Sequence, residues 1–458
     1  MIDRRHYRWT ELWLLLLPSL FMLVGMTTLL TVQSVLGPPC APVTATPTGN
    51  TVVTTHNLLP PLDALTPAFG LIAALAGAHI LLNIIAPDSD QTILPIAGML
   101  SSIGVLMSLR LGPCIGQDTS NLGIKQLVWV IAGLIACIAT VRLTRDLRWL
   151  RNYKYTWAAL GIVLVGITLV NARGFSTKAP SRDVLSIGPG GLSFQPSEIL
   201  KICLVIFFAG YLSENREMLA SAYFQIGRLK LPPLKHLGPL LVMLGLALLI
   251  FVGVRELGLA ILIFGLFLSM LYVASNRPMY VIGAVLLFAV GAFAAYHLFS
   301  YAQTRVAIVA NAFDPNIEPN AGYQIVQGLI AFGRGGIFGT GLGMGKPYFV
   351  PASNTDYIAA SFGEEFGFAG VLALIGLFML LVYRGMHIAV RNRDSFNQLM
   401  AVGLTAVFAL QTFVILAGDL KLMPLTGVPL PFVAYGGSSV IANFIIIGLM
   451  LRLSENTA

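Results

Sequence analysis

The chain returns repeatedly to long apolar stretches with few charges. Apolar runs lie at about 12–35, 66–86, 93–111, 126–143, 156–172, 197–213, 237–254, 257–275, 280–300, 357–382, 398–418 and 436–452, twelve in all. A helix needs roughly 20 apolar residues to cross a bilayer core, so twelve spans would occupy roughly 240 residues. A water-soluble globule cannot hide that much apolar chain. Only 10% of the 458 residues are charged, where a soluble domain carries about 25%. Disorder is excluded as well, because it needs low hydrophobicity and high charge, and this chain is 56% hydrophobic. The fold class that remains is all-α: a polytopic helical membrane protein of about 12 transmembrane helices. The first run is too long for the core of a signal peptide, which spans about 7–15 residues, and reads as an uncleaved first span.

The net charge of +8 follows topology. With the N-terminus inside, the inner segments hold seventeen basic residues, among them Arg4, Arg5, Arg8, Arg142, Arg145, Arg148 and Arg151; the outer segments hold nine. This bias places both termini in the cytoplasm. No basic-aromatic cluster suggests base stacking, and the basic residues lie mostly in short stretches between apolar runs, so no nucleic acid is expected as a partner. The four cysteines show no metal-ligand spacing. Cys40 and Cys114 both fall in outer loops, where the compartment permits a disulfide, and we expect them to pair; two unlinked thiols is the alternative. Cys137 and Cys203 lie within spans and read as small apolar residues. Residues 1–155 form an N-terminal block of four spans, and 156–458 form the rest of one membrane domain.

The outer segment 301–356 is too long for a connector. It carries an apolar stretch, Tyr323 to Phe332, whose pattern fits a short interfacial helix. The glycine-rich stretch Gly333–Gly345 follows. No strand precedes it and no Gly-Lys-Ser/Thr closes it, so it is not a nucleotide loop; its glycines suit tight turns and close backbone approach, to lipid or to pyrophosphate. Upstream lie Arg305 and two acids, Asp314 and Glu318, each followed by proline and so in extended or turn conformation. Taken alone, they read as ordinary acids of a solvated loop. The basic stretch 214–236 suits a short interfacial helix.

Several charges interrupt or abut the apolar runs. Glu198 and Lys201 are three apart on one helix face, and an ionisable residue within a span is either functional or part of a structural ion pair. Arg255 and Glu256 separate two runs. Asp356, Glu364 and Glu365 stand at the start of the run near 357; acids two turns into a span require a wet cavity or a cation. With Arg305, Lys201 and Arg255 they would line an outer cavity of mixed charge. Arg110, near a span end, reads as a snorkelling side chain.

These residues also carry a resemblance. Phe194-Gln195-Pro196-Ser197-Glu198 with Lys201, Arg255-Glu256-Leu257-Gly258, Gly322-Tyr323-Gln324 with Ile330-Ala331-Phe332-Gly333 and Gly339-Thr340-Gly341-Leu342-Gly343, Thr355-Asp356-Tyr357-Ile358, Gly363-Glu364-Glu365-Phe366-Gly367, and Pro429-Leu430-Pro431-Phe432 through Tyr435-Gly436-Gly437-Ser438-Ser439 occur in the order found in the SEDS family of RodA, FtsW and SpoVE. The match covers about 160–455 and is RodA-like, with two extra N-terminal spans beyond the family's usual ten.

The resemblance implies a peptidoglycan glycosyltransferase of the bacterial cytoplasmic membrane. Such a protein polymerises lipid II at the outer face, beside a class B penicillin-binding protein and surrounding membrane lipids, in cell elongation or division. A flippase for lipid-linked precursor and a non-enzymatic scaffold for a transpeptidase are the rival readings. The family's essential acid is an Asp in a DP before GYQ. Here Glu318 stands nearest that place, one residue closer to the tyrosine than in some relatives, with Asp314 at the upstream position. By this resemblance Glu318, or else Asp314, is the catalytic base. Arg305, Lys201, Glu198, Tyr323 and Gln324 would contact substrate or its pyrophosphate. Asp356, Glu364, Glu365, Arg255 and Glu256 would shape the cavity or hold a cation, with divalent Mg or Mn as the only cofactor in view.

Overall fold

The computed structural model describes residues 7–36, 62–115, 121–171, 185–187, 192–221, 224–226, 229–231, 234–314 and 319–455. Every predicted apolar run is a helix: α1 (Trp9–Leu36), α2 (Thr66–Ile85), α3 (Ile93–Ile115), α4 (Leu122–Leu143), α6 (Lys154–Asn171), α7 (Pro196–Glu214), α9 (Leu234–Val254), α10 (Leu257–Ser275), α11 (Pro278–Leu298), α14 (Ile358–Arg391), α15 (Ser395–Asp419) and α16 (Gly437–Glu455). Ten of these are long and apolar enough to cross a membrane; α6 and α9 contain shorter apolar stretches, Lys154–Thr168 and Gly238–Val254. Between them lie α5 (Arg148–Asn152), α8 (Arg216–Ser221), α12 (Ser300–Ala310) and α13 (Pro319–Gly335). Two three-residue antiparallel hairpins, β1 (Leu185–Ile187) with β2 (Leu192–Phe194) and β3 (Phe224–Ile226) with β4 (Leu229–Leu231), are the strands among the described residues. The basic stretch 214–236 thus holds α8 and a hairpin.

Local sequence sets the helix ends. Proline occupies the first turn of α2, α7 and α11, where its missing N–H is no loss. The Asp394 side chain caps α15 by accepting from the Asn397 N–H at 3.1 Å. Asn276 ends α10 in the left-handed region, with φ 52°. In the bundle α3 and α7 are buried nearly all round, whereas α11 is exposed along almost its whole length. A helix apolar on every face and open to the surroundings suits lipid as solvent. Small residues let the central helices close up: a Cβ on Gly133 would meet the Phe444 ring, and one on Gly448 would meet the Cys137 backbone, so α4 and α16 pack backbone to backbone. Between α1, α3 and α14 lies an apolar cavity of about 850 Å³, lined by Leu17, Phe21, Met99, Leu342, Phe366 and Tyr383 among others.

A buried charge network holds the first two helices to the rest. Arg8 is fully buried and its guanidinium donates to the carbonyls of Ala86 (3.0 Å), Ser89 (2.9 Å) and Asp90 (2.9 Å), and to Glu11. Glu11 also meets His79 Nδ1 at 2.7 Å. The Asp90 carboxylate accepts from the Thr92 N–H (2.8 Å) and hydroxyl (2.6 Å) and from Arg384 Nε of α14 (3.0 Å). Its own N–H donates to Ser454 of α16 at 2.9 Å. Burial pushes the Asp90 carboxyl up, but the hydrogen bonds from Thr92 and Arg384 outweigh it and hold the group below its usual value. A carboxyl depressed in the folded state contributes stability above its unfolded value and loses it as pH falls through the folded one. Asp90→Asn should therefore lower the unfolding free energy by about 2 kcal/mol at neutral pH. Thermal melts of the two proteins in detergent should converge as the solution is made strongly acid.

Candidate functional site

Helix α14 is broken at Gly367, whose φ of 70° and ψ of −173° lie outside the helical region. The break frees backbone groups on both sides of it. The glycine-rich stretch takes them up: the N–H groups of Thr340 and Gly341 donate to the carbonyls of Glu364 and Glu365, each at 3.0 Å, and the N–H groups of Phe368 and Ala369 donate to Gly336 (2.9 Å) and Ile337 (3.0 Å). A Cβ on Gly339 would stand 2.1 Å from the Glu365 carbonyl oxygen, and one on Gly335 2.0 Å from that of Gly363. The close approach expected of these glycines is thus made to a helix of the same chain.

Glu364 and Glu365 are buried at this junction. Glu365 accepts from Arg110 Nε (2.9 Å) and the Gly343 N–H (3.1 Å). Glu364 accepts from the Lys346 N–H (3.1 Å) and lies 3.7 Å from Arg334. Arg110 is 1% exposed and also donates to the carbonyls of Gly343 (3.0 Å) and Gly345 (2.9 Å). The expectation that Arg110 snorkels is corrected: its partner is Glu365, far away in the sequence. Cys114, one turn further along α3, is disulfide-bonded, and Cys137 and Cys203 are free; Cys40 lies outside the described residues.

Lys201 is fully buried and stands between Glu198 (2.9 Å) and the Gln411 side-chain oxygen (2.9 Å). Gln411 in turn donates to the Pro429 carbonyl at 2.7 Å, and the Gln195 N–H donates to Ser438 at 3.3 Å. The motif at 194–201 is therefore tied to the motif at 429–439. Sequence reading missed Gln411, because an amide inside an apolar run carries no signal of its partner.

A third group gathers where α9 meets α10. Arg255 adopts a φ of 67°, strained for a residue with a side chain, and its guanidinium lies 6.0 Å from the Tyr301 ring. Glu256 is buried at the start of α10. Gly258 meets Thr426 so closely that a Cβ there would lie 2.2 Å from the Thr426 side chain. Among its described residues the 301–356 segment, expected to hold one short helix, holds two α-helices and a three-residue 3-10 helix, Pro347–Phe349. α12 supplies Tyr301, which donates to the Val252 carbonyl at 3.1 Å, and Arg305, which donates to the Leu425 carbonyl. The charges of Arg255 and Arg305 both reach the Tyr301 hydroxyl.

α13 runs beyond the expected 323–332 at both ends. It seats Ile325 and Ala331 against Tyr357, Val350 and Ala360. Tyr323 is exposed, and Gln324 donates to the Pro351 carbonyl at 3.4 Å. Asp356 is half-buried; burial pushes its carboxyl up, against the pull of Arg305 and of the Thr355 side chain. The Tyr435 N–H donates to Asn354 at 2.9 Å, which joins this turn to the 429–439 motif. Asp314 is exposed in a turn, its N–H bonded to the Asn311 carbonyl at 2.9 Å. Glu318 lies outside the described residues.

One end of the bundle thus carries irregular backbone, buried ion pairs and a half-buried acid, Asp356. That defines a multi-pass membrane protein with a polar site at one end of its helices. The sequence model of the FtsW/RodA/SpoVE cell cycle proteins matches residues 90–458, and the chain belongs to that family. It is 35% identical over 399 residues to the peptidoglycan glycosyltransferase RodA of Mycobacterium tuberculosis, covering 86% of this chain and 84% of that protein. It is 31% identical over 372 residues to a probable peptidoglycan glycosyltransferase FtsW of Geobacter metallireducens, covering 80% of this chain and 94% of that one. The fold is shared with a chain of a peptidoglycan synthase complex (TM-score 0.62, 23% identity, 80% of this chain and 97% of that one). It is shared too with the rod shape determining protein RodA of Thermus thermophilus (TM-score 0.56, 22% identity, 81% and 97%).

The Glu198–Lys201 pair is a fully buried ionic contact within a matched motif. Removing one member strands the other charge, which costs about 3–5 kcal/mol. Glu198→Gln should lower thermal stability by that order, and Glu198→Gln with Lys201→Met should recover part of the loss. Unfolding of both variants in detergent measures the difference.

Proposed function

We propose that the chain is a peptidoglycan glycosyltransferase that polymerises lipid II at the outer face of the bacterial cytoplasmic membrane. The observation that carries this reading is the 35% identity to a curated glycosyltransferase over 86% of the chain, with the matched motifs meeting at one end of the bundle. The excess of basic residues in alternate loops supports cytoplasmic termini, which puts α12, α13 and the glycine-rich stretch outside.

The chemistry is a glycosyl transfer with a carboxylate base. The base takes the proton of the 4-hydroxyl of the acceptor GlcNAc. That oxygen forms the new bond to the anomeric carbon of the donor MurNAc as the bond to undecaprenyl pyrophosphate breaks. Glu318 is our first assignment for the base and Asp314 the second. Arg305 is our candidate for the cation that opposes the charge developing on the departing pyrophosphate. Lys201, held by Glu198 and Gln411, acts through the shape of the site. We assign Tyr323, exposed on α13, and its neighbour Gln324 to contact with the lipid-linked substrate. A class B penicillin-binding protein is the proposed partner, since the strands made here must be cross-linked.

Purified protein given labelled lipid II should make glycan strands. Glu318→Gln should slow polymerisation by about 10²–10⁴-fold, the usual contribution of a general base, with Asp314→Ala affected less. Strands of ordinary length and rate from both variants would remove the base assignment. Lipid movement in vesicles without any polymer would favour a flippase.

A further inference from the structure

The apolar cavity of about 850 Å³ between α1, α3 and α14 is a groove in the side of the bundle. One wall, α1, precedes the residues 90–458 that the family model matches. The groove follows α1 from Leu14 to Thr28, about 21 Å of helix, against a hydrocarbon core of roughly 30 Å. Its mouth is set among exposed side chains of α1 and α14: Leu17, Leu20, Val24 and Leu380. Hydrocarbon is the solvent at that face, and the lining side chains keep their dispersion contacts only where something fills the gap.

The polar groups of the lining are distributed unevenly. Thr28, toward one end, turns its hydroxyl to the Val24 carbonyl of its own helix at 2.8 Å. The other end carries Thr92, Tyr383 and Arg384. Arg384 Nε and Nη2 both donate to Asp90 Oδ2, which leaves the Nη1 edge of the guanidinium to another acceptor. The Arg384 side chain is 28% exposed. His387 stands one turn further on, its ring stacked on that of Tyr383 with centroids 6.1 Å apart. Trp9 and Trp13 are exposed on the first turns of α1, at the end that Arg8 ties to Asp90. Such aromatic residues settle at the headgroup level of a bilayer.

An amphiphile suits this arrangement and a helix does not. Helices that pack within membranes meet through small residues. The lining has one glycine, Gly25, and Leu106 already lies over it, since a Cβ there would come within 2.5 Å. A phosphate would accept from the free guanidinium edge in a charge-assisted hydrogen bond. A zwitterionic headgroup would bring its ammonium toward the same arginine, so a net negative one is favoured.

We propose that this groove binds one anionic phospholipid, with an acyl chain laid along α1 and α14 and its phosphate accepting from Arg384 Nη1. With cytoplasmic termini the lipid belongs to the inner leaflet; that part rests on the orientation, and the site itself does not. Neither part rests on the glycosyltransferase reading. The far end of the groove is lined by Leu342 and Phe366, which belong to the seam between the glycine-rich stretch and the break at Gly367. The bound chain braces that seam from the membrane side.

Native mass spectrometry of the purified full-length protein, freed of lipid in detergent, tests this with dioleoyl phosphatidylglycerol and dioleoyl phosphatidylcholine. The wild type should retain one phosphatidylglycerol, about tenfold more tightly than phosphatidylcholine, as one charged hydrogen bond implies. Asp90→Asn combined with Arg384→Met, which removes both charges together, should erase the preference. Met99→Trp, which fills the groove, should abolish retention of both lipids. Leu287→Trp, on lipid-facing α11, should change nothing. Phosphatidylglycerol should raise the melting temperature of the wild type and not that of Met99→Trp. If Met99→Trp does not fold, Leu17→Trp at the mouth takes its place. Equal retention of the two lipids by the wild type, or retention of phosphatidylglycerol by the filled variant as by the wild type, overturns the inference. A polyprenyl phosphate or a second copy of the chain, carried by the wild type and lost from the filled variant, assigns the groove to that occupant and overturns it as well.

Discussion

Inside a bilayer, backbone that leaves the helical path must find its hydrogen bonds within the protein, and three irregular stretches of this chain do so against one another. The glycine-rich stretch closes on the break in α14 at Gly367. The turn at 351–357 receives the Tyr435 N–H. The segment after α15 offers the Leu425 and Pro429 carbonyls to Arg305 and Gln411. Each finds its partners elsewhere in the protein. The polar end of the bundle therefore has to assemble as a unit, and the matched motifs are the parts that fit together.

Ionic contacts then divide the labour. Glu365 with Arg110 fixes the glycine-rich stretch to α3. Glu198 with Lys201 and Gln411 fixes α7 to α15. At the other end of the bundle, Asp90 with Arg384, and Arg8 with Glu11, hold α1 and α2 to the core. Among the buried polar atoms that no pair takes up in the described residues are the carboxylate oxygens of Asp419 and the Tyr357 hydroxyl. Functional chemistry is sought best among side chains that the fold does not already use.

The helices were legible because each apolar run is long and bounded by charge or proline, and the solvent forces such runs into helices. α12 was not, because its eleven residues mix polarity and follow α11 after a single residue, Phe299, so the apolar run seemed simply to end in a loop. The candidate site residues stood out in the sequence as motifs and as misplaced charges. Their partners did not: nothing in the local sequence links Arg110 to Glu365, or Lys201 to Gln411. Asp419 passed unnoticed because an acid at the end of a span is ordinary until its burial and lack of partners are known.

The junction between the glycine-rich stretch and α14 is sewn by main-chain atoms, and this separates what may drift from what may not. Side chains at 337, 338 and 344 point outward, Phe338 being 84% exposed. Their identity is invisible to the seam beneath them. Descendants of such a chain can rewrite that rim to suit a different lipid or neighbour while the glycines at 335, 339 and 367 stay put, so new contacts at the membrane surface can evolve without disturbing the architecture that carries them.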